Sequence, residues 1–160
     1  MSQKGLAERV NKVLSEIYPS EKRISLRFKI PGATVSYRKE GWLFKRKSFN
    51  EEFLPLLDLS RGGLKFSSQK RIKPGTKLYL QLSIPGERSP LILLGQVRWS
   101  ARSKGGNYPY EAGVQFYVYG QKKSQNYPGN LVKIISLEQK FSGQELDLTV
   151  PPDEYDVESS

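Results

Sequence analysis

The sequence contains no cysteine and no histidine. Without cysteine there is no disulfide framework, no thiol nucleophile and no thiolate metal site. Without histidine the commonest general base and the commonest metal ligand are both missing. Aspartate, glutamate, lysine, tyrosine and serine remain, which is a thin kit for hydrolysis. The expectation is a binding module rather than an enzyme, with no catalytic residue, no metal ligand and no cofactor to assign. No apolar run approaches the roughly 18 residues needed to cross a membrane. The opening stretch "MSQKGLAERVNKVLSEIY" is broken by charge every few residues and lacks the apolar region of a signal peptide. A cytoplasmic protein without membrane insertion is expected.

Charge of one sign is scarce where the other is abundant. Residues 143–160, "GQELDLTVPPDEYDVESS", hold six of the 16 acidic residues and none of the 26 basic ones. The first 142 residues therefore carry 26 basic against ten acidic side chains. A body that basic attracts phosphates, nucleic acid or an anionic surface, although scattered lysines also serve solubility alone. At 160 residues the chain is one domain's worth with room for extensions, and it can bury an ordinary core without staples.

Leu6, Val10, Val13, Leu14 and Ile17 recur at helical spacing, which predicts an amphipathic helix over 5–17, ended by Pro19. From 26 to 118 the pattern turns to strands, in the runs "LRFKI", "ATVSY", "WLFKRKSF", "EFLPLLDLS", "GGLKFSS", "KLYLQLSI", "LILLGQVRWSA" and "EAGVQFYVY". In "KLYLQLSI" the residues Leu78, Leu80, Leu82 and Ile84 alternate as a half-buried strand should. Turn residues separate the runs at Pro31-Gly32, Glu40-Gly41, Pro74-Gly75, Pro85-Gly86 and 104–107. Short strands at this spacing without intervening helices point to an antiparallel barrel or sandwich, and the short length favours a small barrel. Leu131, Ile134, Ile135, Leu137 and Phe141 predict a closing helix over about 129–141. The expected organisation is an N-terminal helical extension, 1–19, a barrel domain, 20–142, and an acidic tail, 143–160, whose composition reads as disordered.

Two short motifs carry possible chemistry. In "KRISLRF" Arg23 and Arg27 stand four apart and share a side. Guanidinium groups make two-pronged contacts to phosphate and to the O6/N7 edge of guanine, yet a lone arginine pair in so basic a chain is ordinarily solvated. In "DLSRGGLKF" Asp58 and Ser60 stand two apart at a strand end, where a carboxylate can accept from a guanine's N–H donors. Gly62 and Gly63 would let the backbone bend and a flat ring approach. The same stretch is also ordinary turn chemistry.

Together and in this order, "KRISLRFKI" and "DLSRGGLKF" resemble the RxxxR and [DN]xSxxG signature of PilZ domains. "GQVRWSA", "AGVQFYVY" and the terminal helix resemble that family's closing strands and helix, so the resemblance covers about residues 20–141. It implies a mainly β fold, a six-stranded antiparallel PilZ-like β-barrel with a C-terminal helix, here with a short N-terminal helix added. It also implies a bacterial receptor for cyclic di-GMP that signals by conformational change to a downstream protein partner. Carried over by position, Arg23 and Arg27 match the motif arginines, and Asp58, Ser60 and Gly63 match the motif that receives a guanine. Lys22 stands where a further contact residue is common, and Trp99 where some members place an aromatic near the base; Trp99 equally reads as barrel packing. The stretch between the motifs, "RKEGWLFKRKSFNEEF", is long and reads as a basic hairpin. Other readings of the same residues are a single-stranded nucleic-acid-binding barrel using Tyr79, Trp99, Tyr108, Tyr110 and Tyr117, or a ligand-independent adaptor. The tyrosines follow no single-face pattern, so nucleic acid is not the expected partner.

Overall fold

A computed structural model of the chain describes residues 5, 6, 8, 9, 26–40 and 48–149. The helix expected over 5–17 and the basic stretch 41–47 fall wholly or mostly outside the described residues, as do Lys22 and Arg23. Six strands follow one another: β1 (Thr34–Lys39), β2 (Glu51–Ser60), β3 (Gly63–Ser68), β4 (Lys77–Ser83), β5 (Leu91–Arg102) and β6 (Tyr110–Phe116). A single long helix, α1 (Pro128–Thr149), completes the described fold. The strands close into a barrel in the order β1-β2-β3-β6-β5-β4, every neighbouring pair antiparallel. Closure leaves no free sheet edge among the described strands; β3 and β4 are consecutive but not neighbours, so their connection crosses over, and β1 pairs with β4 and β3 with β6.

The strand pattern read from β4 holds: Leu78, Leu80 and Leu82 all point inward and are fully buried. They meet Val35, Tyr37, Leu59, Phe66, Leu93 and Val97 in one core. Tyr37 and Phe66 stack tilted at 5.7 Å between centroids, and the Tyr37 hydroxyl donates to Glu51 Oε2 at 2.5 Å. The turns at Pro74-Gly75 and Pro85-Gly86 put the glycines at φ +93° and +88°, backbone that residues with a Cβ adopt only under strain.

Two expectations shift. "LRFKI" is not a strand: only Phe28 pairs, antiparallel with Leu59, because β1 already occupies most of that side of β2. The helix does not stop near Phe141 but continues through Thr149, into the stretch that composition marks as a disordered tail. Adding residues to a formed helix costs little, and "QELDL" contains no breaker. Pro151 is the first residue that disfavours helix in the position before it. Asn126 fastens the approach to α1: its side-chain amide donates to the carbonyls of Leu94 and Tyr117, and its Oδ1 accepts from Leu94 N–H. Leu131, Ile134 and Leu137 then face the barrel, all buried. No helix among the described residues is long and apolar enough to cross a membrane.

Candidate functional site

The site grows out of two places where strand alternation breaks. Along β2, Leu54 is buried in the core, so strict alternation would turn Leu56 and then Asp58 inward. The pairing with β3 slips between Leu56, opposite Phe66, and Asp58, opposite Lys65. One extra residue, Leu57, reverses the phase. Leu59 consequently enters the core, fully buried, and Asp58 stands on the outer face beside Lys65.

The same device operates in β5. Val97 is in the core and opposes Val114, whereas Trp99 opposes Gly113. Gly113 lies between the buried Ala112 and Val114 and so faces outward. The extra residue at Arg98 thus sends both Arg98 and Trp99 to the outside. The indole lies across Gly113, where a Cβ would come within 2.2 Å of Trp99 Nε1 and 2.4 Å of Cε2.

Between these two bulges lies an open cleft of about 300 Å³, lined by Arg27, Ser60, Gly62 and Gly63 on one side and by Arg98, Trp99, Gly113 and Gln115 on the other. Phe28 delivers Arg27 to it. Its ring is fully buried, and its backbone exchanges hydrogen bonds with Leu59 at 3.0 and 2.9 Å. Arg27 is left with a side chain 57% exposed, and its Nη1 lies 3.6 Å from Asp58 Oδ1. Asp58 stands at the edge of the cleft rather than among its lining residues, with Lys65 Nζ 3.6 Å from its other oxygen. Contacts that long and exposed are weak and exchangeable.

Ser60 is buried, and its hydroxyl donates to the Gly63 carbonyl at 3.3 Å, which closes the turn while leaving acceptor capacity toward the cleft. The glycine pair works otherwise than turn chemistry suggests: neither Gly62 nor Gly63 has positive φ. Gly63 is needed for proximity, because a Cβ there would stand 2.1 Å from the Val114 carbonyl oxygen. Gly62 has open space above it.

Of the residues singled out in the sequence, the structure brings Arg27, Asp58, Ser60, Gly63 and Trp99 together. Lys22 and Arg23 lie outside the described residues. Arg98, Gly113 and Gln115 are lining residues that sequence reasoning missed, since only the bulge turns Arg98 and Trp99 to one side. Among the described residues no cluster of acidic side chains could hold a metal. Tyr119, from the segment before α1, donates its hydroxyl to the Arg61 carbonyl at 3.0 Å, and burial raises its pKa well above the ordinary tyrosine value.

The PilZ domain family model matches residues 21–133 of the chain. No curated protein matches it. Among solved structures, it is similar to YcgR of Escherichia coli in complex with c-di-GMP. The identity is 16% and the TM-score 0.47, over 81% of this chain and 51% of that one. The chain thus spans about half the length of YcgR. It is also similar to a pathogenic protein of Xanthomonas campestris described as a tetrameric PilZ domain self-assembled through a helical bundle. There the identity is 12% and the TM-score 0.43, over 88% of this chain and 79% of that one.

Proposed function

The chain belongs to the PilZ domain family, and from that membership and the cleft between its two bulges we propose that it is a receptor for cyclic di-GMP. The observation that carries the reading is the convergence of Arg27, Ser60, Gly63 and Trp99 on one concave site with Asp58 at its rim. Arg27 and Asp58 partially satisfy each other at 3.6 Å, and the ligand replaces both halves of that contact with better ones. Guanine N–H groups donate to the Asp58 carboxylate. The Arg27 guanidinium turns to phosphate or to the guanine O6/N7 edge, where two-pronged geometry is available. The Trp99 indole offers a face for a base to stack on.

A cleft of about 300 Å³ lies at the small end of the range for ligand sites, roughly 300–1,000 Å³. It accepts part of a dinucleotide, and Lys22 and Arg23 are assigned to the remainder. Ordering of the Arg23–Arg27 segment by the ligand is the conformational change proposed to signal to a downstream protein partner. This is binding work, with no catalytic step. A stacking platform for single-stranded nucleic acid has less support: Arg38 covers the Tyr79 ring at 4.1 Å and Arg102 lies 5.8 Å from that of Tyr110. Calorimetric titration tests the reading. Arg27→Ala should weaken cyclic di-GMP binding by roughly fivefold to 150-fold, from about 1–3 kcal/mol per two-pronged contact. Parent-like affinity in that variant would sink the assignment.

A further inference from the structure

The turn that walls the cleft is held from its far side by charge. Arg61 sits between Ser60 and Gly62 but sends its guanidinium away from the cleft, to the helix. Nε donates to Glu138 Oε2 at 2.8 Å and Nη2 donates to Oε1 at 2.9 Å, a planar two-pronged pair. Glu138 is only 4% exposed and lies on the barrel-facing side of α1, at helical spacing from the buried Leu131 and Ile134. An apolar residue would be ordinary there, and burying a carboxylate is costly unless a cation and hydrogen bonds meet it. Two more bonds hold the same turn. The Tyr119 hydroxyl donates to the Arg61 carbonyl at 3.0 Å, and Phe116 N–H donates to the Gly62 carbonyl at 2.8 Å.

We infer that Arg61 and Glu138 are positioning residues that tie the shape of the Ser60–Gly63 turn to α1, so that a ligand in the cleft is felt by the helix. A buried two-pronged ion pair is a stiff link. Sliding one partner by an ångström leaves a carboxylate buried and unpaired, which is strongly unfavourable, whereas apolar side chains can slip past one another cheaply. The turn and the helix therefore move as one piece. A ligand that fastens on Ser60 and on the backbone at Gly62 and Gly63 restrains α1 at the same time. The outer side of α1, with Val132 44% exposed, then belongs to an element whose position depends on occupancy.

The inference rests on the ligand reading above and is tested by hydrogen–deuterium exchange on the full chain with and without cyclic di-GMP, followed in peptides covering 58–66 and 128–142. In the parent, ligand should slow exchange in both. In Arg61→Met/Glu138→Leu, apolar replacement of the pair keeps the fold. Slowed exchange should persist at the turn and vanish in α1, with affinity reduced about tenfold. Arg61→Lys keeps the charge and serves if the double variant does not fold: it should lose at least half of the α1 protection. Helix protection unchanged in the variant that folds, or no helix protection in a parent that binds, overturns the inference while leaving the ligand reading intact. A parent that does not bind cyclic di-GMP overturns the ligand reading first, and this inference with it.

Discussion

Gly113→Ala tests whether the Trp99 platform matters for binding. A Cβ at position 113 would stand 2.2 Å from Trp99 Nε1, 2.4 Å from Cε2 and 2.9 Å from Cδ1, whereas non-bonded heavy atoms rest at about 3.5–4.0 Å. Something must move by more than about 1 Å. The backbone of β6 is paired on both sides, with β3 and with β5, and cannot. The indole is 39% exposed and can swing outward, abandoning the cleft. Base stacking on an aromatic side chain is worth about 1–3 kcal/mol, so affinity for cyclic di-GMP should fall by roughly fivefold to 150-fold. Trp99→Ala should lose a similar amount, and Gly113→Ala/Trp99→Ala no more than Trp99→Ala, because both changes remove one contact. Calorimetry measures affinity, and urea unfolding of the same variants checks that the barrel stands. Parent-like affinity in a folded Gly113→Ala protein would refute the stacking role of Trp99.

Other expectations concern stability. Arg61→Ala alone should destabilise the fold by about 3–5 kcal/mol, since it strands the Glu138 carboxylate in the core, and the midpoint of urea unfolding reads this directly. Phe28→Ala removes a fully buried ring and should cost about 3–5 kcal/mol. With the anchor gone, it should also weaken ligand binding, by loosening Arg27. Alkaline pH should unfold the protein through Tyr37 and Tyr119. Burial, with Glu51 adding to it at Tyr37, raises both pKa values above the ordinary 10.0. Above about pH 10 the unfolded chain releases these protons while the folded one keeps them, so stability present below that pH should be lost as pH rises. Chemical denaturation at pH 8 and pH 10.5 measures the change; equal midpoints would contradict it.

Much of this architecture could be read in the chain itself. Alternation in β4, the turn dipeptides and the period of Leu131, Ile134 and Leu137 declare a barrel and its helix through local rules: period two, period 3.6 and breakers between. Of the paired motifs, "KRISLRF" and "DLSRGGLKF", the described residues Arg27, Ser60 and Gly63 line one cleft with Asp58 at its rim. Three matters were not legible. Phe28 looks like part of a strand, and only the room left beside β2 makes it a single buried anchor. Glu138 looks like a solvated helix residue, and only a turn distant in sequence supplies its partner. The end of α1 depends on how far a formed helix propagates, which Gly143 does not prevent.

The composition and the order of strand and turn signals alone determined a basic β-barrel with a closing helix, and the paired motifs gave it its resemblance to PilZ domains. The tertiary structure decided which way the site faces. Strict alternation would bury both Asp58 and Trp99. The extra residues at Leu57 and Arg98 reverse the phase of their strands and turn both side chains outward, toward one cleft. A bulge arises because two closed neighbours impose a register that one strand can meet only by carrying an unpaired residue. That constraint belongs to the barrel as a whole, and no local stretch of sequence contains it.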